Sequence, residues 1–493
     1  MVTKTVKSLS VFSSIKWSIV SQFGTQGMRF VVSIVLARLL VPNDFGLVAM
    51  ATVVINFLDI FCQLGIEKII IQKKYISNEL LNTLFIFSLA VGMILSILLF
   101  IFAPLMGKIY NDFRVLPILR FLSIIFLFSS FGIIHRSLLK RNMMFDLLAK
   151  IELIAASING IISIVLALWG FRVWSIVIAT VIYSLIFTVL LWIITPWRPQ
   201  WIFNWQEVKR VLGFGLNFTG FQFVNYFTRN SDVFIIGTFL GASPLGFYSV
   251  ANKLSKYPLE LTNRALGKVL FPAFSKIQDD NDQFRRNYLR TCSGIALLAF
   301  PIFAGLSVLA KIFVSSLLGE KWVPIISLII ILAPISMIRS ISNTVGQIYL
   351  AKGRSDWLFW WGIASGILIM LSFLLGLRWG IHGVVSAYAI IMVPISYIGF
   401  IIPFKLIELR FTDFLNTLKP YFYSSVVMAA SMFSLIRIFE YLNIIPVFIL
   451  IVNTFSGIAI YTILIVQQKP PALYDLLNLL PFKFTIGKIT NVS

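Results

Sequence analysis

Apolar runs of eighteen or more residues recur from one end of this 493-residue chain to the other. Helices of that length cross a bilayer core about 30 Å thick. Windowed hydropathy, with breaks at Pro, Gly and charge clusters, predicts about fourteen spans: 12–36, 45–66, 82–106, 116–136, 148–168, 173–195, 211–240, 246–272, 289–316, 325–350, 357–377, 383–404, 420–438 and 444–466. The predicted fold is therefore an all-α polytopic membrane protein. Within several spans the polar residues keep helical spacing. In the first, Ser14, Ser18, Gln22, Thr25, Gln26, Arg29 and Ser33 fall on one face, within roughly 120°. In the second, Thr52, Asn56, Asp59 and Gln63 do the same. Gln222, Asn225, Arg229 and Asp232 line the seventh, and Ser336, Arg339, Asn343 and Gln347 the tenth.

The eighth span carries the most charge. Asn252, Lys253, Lys256, Glu260, Asn263 and Arg264 share one face, and Lys268 follows one turn later. A charge in hydrocarbon is costly unless it faces protein or water. Snorkelling near a helix end accounts for Lys268 and Lys16. For Lys253, Lys256 and Arg264 together, a wet cavity that attracts an anionic head group is the simplest account, with Glu260 tempering the field. Asp59 reads either as a buried hydrogen-bonding residue or as a proton carrier. Arg229 and Asp232, one turn apart, read either as an intrahelical pair or as an ion or ligand site.

Two echoes run through the chain. LARLLVPNDFGLVAMA (36–51) returns as IGTFLGASPLGFYSVA (236–251), with Leu40/Leu240, Gly46/Gly246 and Ala51/Ala251 identical. Trp169-Gly170 opens the sixth span and Trp379-Gly380 the twelfth. Six spans separate the members of each pair, so the copies point the same way. The expected organisation is two parallel six-helix repeats plus two extra helices, a plan found in transporters. The corresponding pieces are an N-lobe at 1–195, an interfacial linker at 196–210, a C-lobe at 211–404, and the last two spans with a tail at 405–493. Trp197, Trp201 and Trp205 suit either an interfacial helix or a loop with belt tryptophans.

Composition sharpens this picture. Hydrophobic residues make up 59% and charged residues only 12% of the chain, whereas a soluble protein is about a quarter charged. There is no room for a soluble catalytic domain. The net charge of +22 is spread over short loops, which argues against nucleic acid as partner. Roughly 24 Lys and Arg fall on the side of the N-terminus and 8 on the other, so both termini are expected in the cytoplasm. Cys62 and Cys292 read as buried free thiols. His135 and His382 form no ligand cluster, and no Walker loop is present, so no metal, cofactor or direct use of ATP is expected.

At this point the chain resembles a family. The turn at 36–51 after a Gln- and Arg-bearing first helix, QLGIEKIIIQ (63–72), LLKRNMMF (138–145), the two Trp-Gly pairs and SDVFIIGTFLGASPLGFYSVANK (231–253) carry the resemblance. It is to the Wzx-like polysaccharide flippases of the multidrug/oligosaccharidyl-lipid/polysaccharide exporter superfamily, nearest the branch exporting colanic or teichuronic acid. The resemblance covers almost the whole chain. It implies two six-helix lobes in a V around a cationic cavity in a bacterial cytoplasmic membrane. It also implies alternating access that flips a polyprenyl-diphosphate-linked oligosaccharide outward, alongside a polysaccharide polymerase and glycosyltransferases. Arg29, Lys253, Lys256, Arg264 and Arg339 then become the substrate-binding cations, with Gln22, Gln26, Asn56, Gln222, Asn225, Asn252, Asn263 and Asn343 as cavity-lining polar residues. Asp59, Arg229, Asp232 and Glu260 are candidates for ion coupling or charge pairing.

Other readings stay in view. A cation-coupled drug or metabolite antiporter of the same superfamily favours acidic cavity walls. A membrane-embedded glycan polymerase or ligase needs a large outer loop for its acceptor. A scaffold leaves the charges within the spans unexplained.

Overall fold

A computed structural model describes residues 11–474; for residues 11–23 and 258–273, and several between 210 and 228, the backbone alone is described. The described chain is helical, with no strand among the described residues. The helices are α1 (Val11–Leu39), α2 (Pro42–Gln63), α3 (Ile66–Gln72), α4 (Asn78–Ile109), α5 (Val115–Leu122), α6 (Ile125–Arg141), α7 (Phe145–Leu168), α8 (Val173–Ile194) and α9 (Trp205–Leu240). They continue with α10 (Ala242–Ser275), α11 (Asn281–Phe313), α12 (Ile325–Ser342), α13 (Val345–Ala351), α14 (Ser355–Gly376), α15 (Gly380–Leu406), α16 (Phe411–Tyr441) and α17 (Pro446–Gln468). Ten stretches among the described residues are long and apolar enough to cross a membrane. This is a multi-pass membrane protein.

The apolar periodicity finds these helices, and local chemistry sets their ends. Pro42 and Pro446 sit at helix starts, where no intrahelical N–H is needed. Ser77 caps α4 by accepting from the Leu80 amide at 3.1 Å, and Asp280 caps α11 by accepting from that of Gln283 at 2.8 Å. Three of the expected spans are broken. After α2 the backbone turns left-handed at Leu64 (φ 38) and Gly65 (φ 66) and restarts as α3. The motif QLGIEKIIIQ is this elbow. A break at Ser123–Ile124 separates α5 from α6, and one at Asn343–Thr344 separates α12 from α13. Residues 196–204 carry no helix; α9 begins at Trp205.

The Trp-Gly echo has a backbone cause. Gly170 (φ 82) and Gly380 (φ 65) both adopt the left-handed conformation, which a Cβ disfavours. Each lets the chain reverse at once into the next helix, α8 or α15. The preceding Trp169 and Trp379 are exposed by 72% and 71%, as suits rings at a membrane–water interface.

Two compact units divide the chain, Met1–Ser249 and Val250–Ser493. In the first, α7 packs on α1 and α8, α6 on α4, and α2 on α9. Its buried cluster joins Ile66, Ile70, Leu84, Phe85, Ile133 and Ile134, with Trp192 and Trp197 packed against it. In the second, α11 packs on α12 and α16, α14 on α15, and α16 on α17. Phe274 stacks on Phe284 with ring centroids 4.9 Å apart, and Phe404 meets Phe414 at 5.1 Å in that unit's cluster. Cys62 and Cys292 are both free and buried.

The first echo closes on itself inside the first unit. An ideal Cβ on Gly46 lies 1.7 Å from the Ala242 carbonyl oxygen, and one on Gly246 lies 1.8 Å from that of Pro42. Pro42 and Ala242 hold matching places in the two copies. The first turns of α2 and α10 therefore cross backbone against backbone, and only glycine fits at either crossing point.

Candidate functional site

The polar stripe predicted on α2 exists as one accessible face: Thr52, Asn56 and Gln63 are exposed and Asp59 is half-buried. Gln63 Nε2 donates to Asp59 Oδ2 at 2.6 Å. The neighbouring face of α2 is aromatic and grips α9. Phe57 meets Phe223, Tyr226 and Phe227 with centroids 5.4–5.8 Å apart, and the Tyr226 hydroxyl donates to the Val53 carbonyl at 2.6 Å. This packing fixes the α2 stripe beside α9, which carries the half-buried Gln222 and the exposed Arg229. Asp232 lies deeper, 7% exposed. It accepts from the Tyr248 hydroxyl of α10 at 2.6 Å and from the Val233 amide at 2.8 Å.

On α1, Gln26 is half-buried and Arg29 exposed. Arg29 lies within interaction range of the Tyr183 hydroxyl on α8, as do Glu152 of α7 and Arg136 of α6. Arg136 stands 6.0 Å from the Phe187 ring centroid and 4.0 Å from Glu67. Glu67 of α3 receives a 2.7 Å bond from Lys140 Nζ. The next residue, Arg141, donates to the carbonyls of Ile70 at 2.5 Å, Lys73 at 2.6 Å and Lys74 at 3.0 Å. A guanidinium on the last carbonyls of a helix satisfies groups that otherwise lack partners. Thus LLKRNMMF is bolted to QLGIEKIIIQ, two segments that lie far apart in the sequence. Hydropathy alone puts Lys140 and Arg141 in a loop and does not single out Glu67 or Tyr183, whereas both cations lie in the last turn of α6; the two motifs themselves carry the only signal.

In the second unit, Asn252 is 9% exposed, Lys256 is half-buried and Lys253 is exposed. The Lys253 ammonium sits 5.8 Å from the Tyr257 ring centroid. Arg339 of α12 donates to the Tyr388 hydroxyl of α15 at 3.0 Å, and Asn343 is exposed at the α12–α13 break. The backbones of Gln22, Asn225, Glu260, Asn263 and Arg264 lie on α1, α9 and α10, while their side chains, like that of Lys268, lie outside the described residues. Among the described residues no group of three His, Cys, Asp or Glu is placed to hold a metal ion. The arrangement offers cations and amides on accessible helix faces, which suits an anion with attached hydroxyls.

Residues 35–327 match the profile of a family described as polysaccharide biosynthesis protein. Lipopolysaccharide biosynthesis protein WzxC of Escherichia coli (strain K12) is 28% identical over 396 residues, covering 80% of each chain. Teichuronic acid biosynthesis protein TuaB of Bacillus subtilis (strain 168) is 27% identical over 474 residues, 95% of this chain and 98% of that one. The fold is similar to that of a solved structure, lipid II flippase MurJ, inward closed conformation: the TM-score is 0.74 at 15% identity, over 94% of this chain and 100% of that one.

Proposed function

This chain belongs to the family of polysaccharide biosynthesis proteins, and on that premise we propose that it flips a lipid-linked oligosaccharide across the membrane. The cargo is a polyprenyl-diphosphate-linked repeat unit for an extracellular polysaccharide. It moves from the cytoplasmic to the outer leaflet of a bacterial cytoplasmic membrane, without covalent chemistry. In this reading fourteen helices cross the membrane with both termini inside. Residues 1–195 and 211–404 form two parallel six-helix lobes joined by the linker 196–210, and the last two helices and a tail follow at 405–493. The observation that carries the proposal is the set of accessible polar helix faces that hold cations, above all Lys253 and Lys256 on α10 and Arg29 on α1.

A diphosphate carries about two negative charges. Each nearby cation contributes on the order of 1–3 kcal/mol through charge-assisted hydrogen bonds in a partly wet cavity. Lys253, Lys256 and Arg264 are assigned to hold the diphosphate, with Arg29 and Arg339 contributing from other helices. Gln22, Gln26, Asn56, Gln222, Asn225, Asn252, Asn263 and Asn343 give hydrogen bonds to sugar hydroxyls. Asp59, Arg229, Asp232 and Glu260 serve coupling or charge pairing. The prenyl tail stays in the bilayer, so the protein shelters only the polar end while the lobes alternate. A polymerase and glycosyltransferases act after and before it. An antiporter for cations, the second reading, needs acidic walls, whereas the accessible faces of α1 and α10 are led by Arg29 and Lys253.

The test replaces Lys253, Lys256 and Arg264 together by Ala in the cell that makes the glycan. Membrane insertion is expected to persist while export falls at least tenfold, with repeat units accumulating on the inner leaflet. Normal insertion with wild-type export would remove these residues from the site.

A further inference from the structure

We propose that the first unit binds an anionic membrane phospholipid in a groove between α6 and α8, with one acyl chain in the groove and the phosphate on Arg198. The groove has a volume of about 420 Å³, and Phe128, Phe131, Leu185, Val189, Trp192 and Arg198 are among its lining residues. Its few other polar groups are already spent. The Thr188 hydroxyl donates to the Phe128 carbonyl at 2.9 Å, and the Trp192 indole N–H donates to the Phe131 carbonyl at 2.9 Å. An occupant therefore meets hydrocarbon along the whole length. Val189 and Ile193 on its rim are 46% and 69% exposed on a helix apolar enough to cross a membrane, so the groove opens to lipid and not to water.

Length and charge select the occupant. From Leu185 to Ile194 the helix rises about 14 Å, which matches the roughly 15 Å of hydrocarbon in one leaflet. Arg198 stands just beyond the end of α8. Its Nη1 donates to the carbonyls of Thr195 at 2.5 Å and Trp197 at 2.8 Å, and the guanidinium lies 6.0 Å from the Trp192 ring centroid. Those carbonyls orient the cation without neutralising it, and no carboxylate ion-pairs with it among the described residues. Trp192 is itself wedged in place, its ring 4.7 Å from that of the fully buried His135. An oriented, uncompensated cation at interface depth above a leaflet-long apolar slot fits a phosphate whose lipid bears net negative charge. Juxtamembrane cations of this kind give about a fivefold preference for anionic lipid.

The experiment reads Trp192 fluorescence in the full chain reconstituted in phosphatidylcholine vesicles. Phosphatidylglycerol or phosphatidylcholine, each brominated along the acyl chain, is added, and the Trp192→Phe variant isolates the Trp192 signal. Quenching of Trp192 is expected at about fivefold lower mole fraction of the brominated phosphatidylglycerol. Arg198→Gln is expected to bring the ratio to one, and Val189→Phe, which adds no second indole, to crowd the groove and cut the quenching of Trp192 by both lipids. Arg437→Gln, which removes a charge elsewhere, keeps the preference. Equal quenching by the two lipids in the wild type, or a preference that survives Arg198→Gln, overturns the assignment. So does displacement by polyprenyl phosphate at lower concentration than phosphatidylglycerol, which gives the groove to the carrier instead.

Discussion

The turns at 36–51 and 236–251 reach one crossing by different means. In the first, Val41 is extended (φ −106, ψ 158), Pro42 opens α2 and Asp44 accepts from the Val41 amide at 3.3 Å. In the second, Gly241 turns left-handed at φ 85, and the Leu245 amide returns to the Gly241 carbonyl at 3.3 Å. Around the crossing the side chains diverge. Val32 and Val48 in the first copy answer to Asp232 and Tyr248 in the second, where a 2.6 Å hydrogen bond joins them. What the copies share is the shape of the main chain and the two glycines that allow it. Polarity was free to change: the first copy buries Asp44 against its own turn, whereas the second buries Asp232 against Tyr248.

Breaking the shared part costs most. Gly46→Ala and Gly246→Ala each set a Cβ against a backbone oxygen, which cannot swing aside as a side chain can. Each is expected to destabilise the protein by about 3 kcal/mol or more, visible as a lower unfolding midpoint in detergent. Unequal losses would show that the crossing is not reciprocal. Tyr248→Phe probes the part that differs: loss of a hydrogen bond to a charged partner is expected to cost about 2 kcal/mol, while Val48→Ala leaves that network untouched. The Trp-Gly turns extend the comparison. Gly170→Ala and Gly380→Ala meet no atom within 4 Å, so each is expected to cost only the left-handed strain, about 1 kcal/mol.

The smallest effect belongs to a tie that only the first turn has. Arg114 donates to Asn43 Oδ1 at 2.9 Å and pairs with Asp112 at 2.6 Å, which holds the Asp112 carboxyl below its usual range. A depressed carboxylate adds stability above the unfolded value, about 3.9, and loses it as pH falls through the lower folded value. The difference in unfolding midpoint between the wild type and Asp112→Asn is therefore expected to stay constant from pH 8 to 5. It should narrow only in more acid solution.

Much of this was legible because membrane helices announce themselves by length. Each predicted stretch falls on a helix, and the stripe on α2 was readable as spacing alone. The elbows were not. The turn at Leu64–Gly65 hides in an apolar run, because hydropathy does not register a change in φ. Nor does periodicity say which partner a charge takes. The spacing of Arg229 and Asp232 allows an intrahelical pair or an ion or ligand site, and it gives no sign of the tyrosine sixteen residues on that bonds Asp232. The network of Arg29, Tyr183, Glu152, Arg136 and Glu67 was illegible for a further reason. Its members come from five helices, and none shares a stripe with another.

The segment 196–204 has the look of a loop a protease would choose, since it carries no helix, joins two long helices and leaves Trp201 86% exposed. Yet its main chain is held to α4: the Gln200 amide donates to Asn82 Oδ1 at 2.9 Å and the Asn204 amide to Thr83 Oγ1 at 3.1 Å. The Asn204 side chain adds a 2.7 Å bond to Glu79. A cleaving enzyme must bind such a segment along its own amides, of which those of Gln200, Ile202 and Asn204 are here already committed. Cutting therefore waits on local opening, and the connection is more durable than its lack of secondary structure implies.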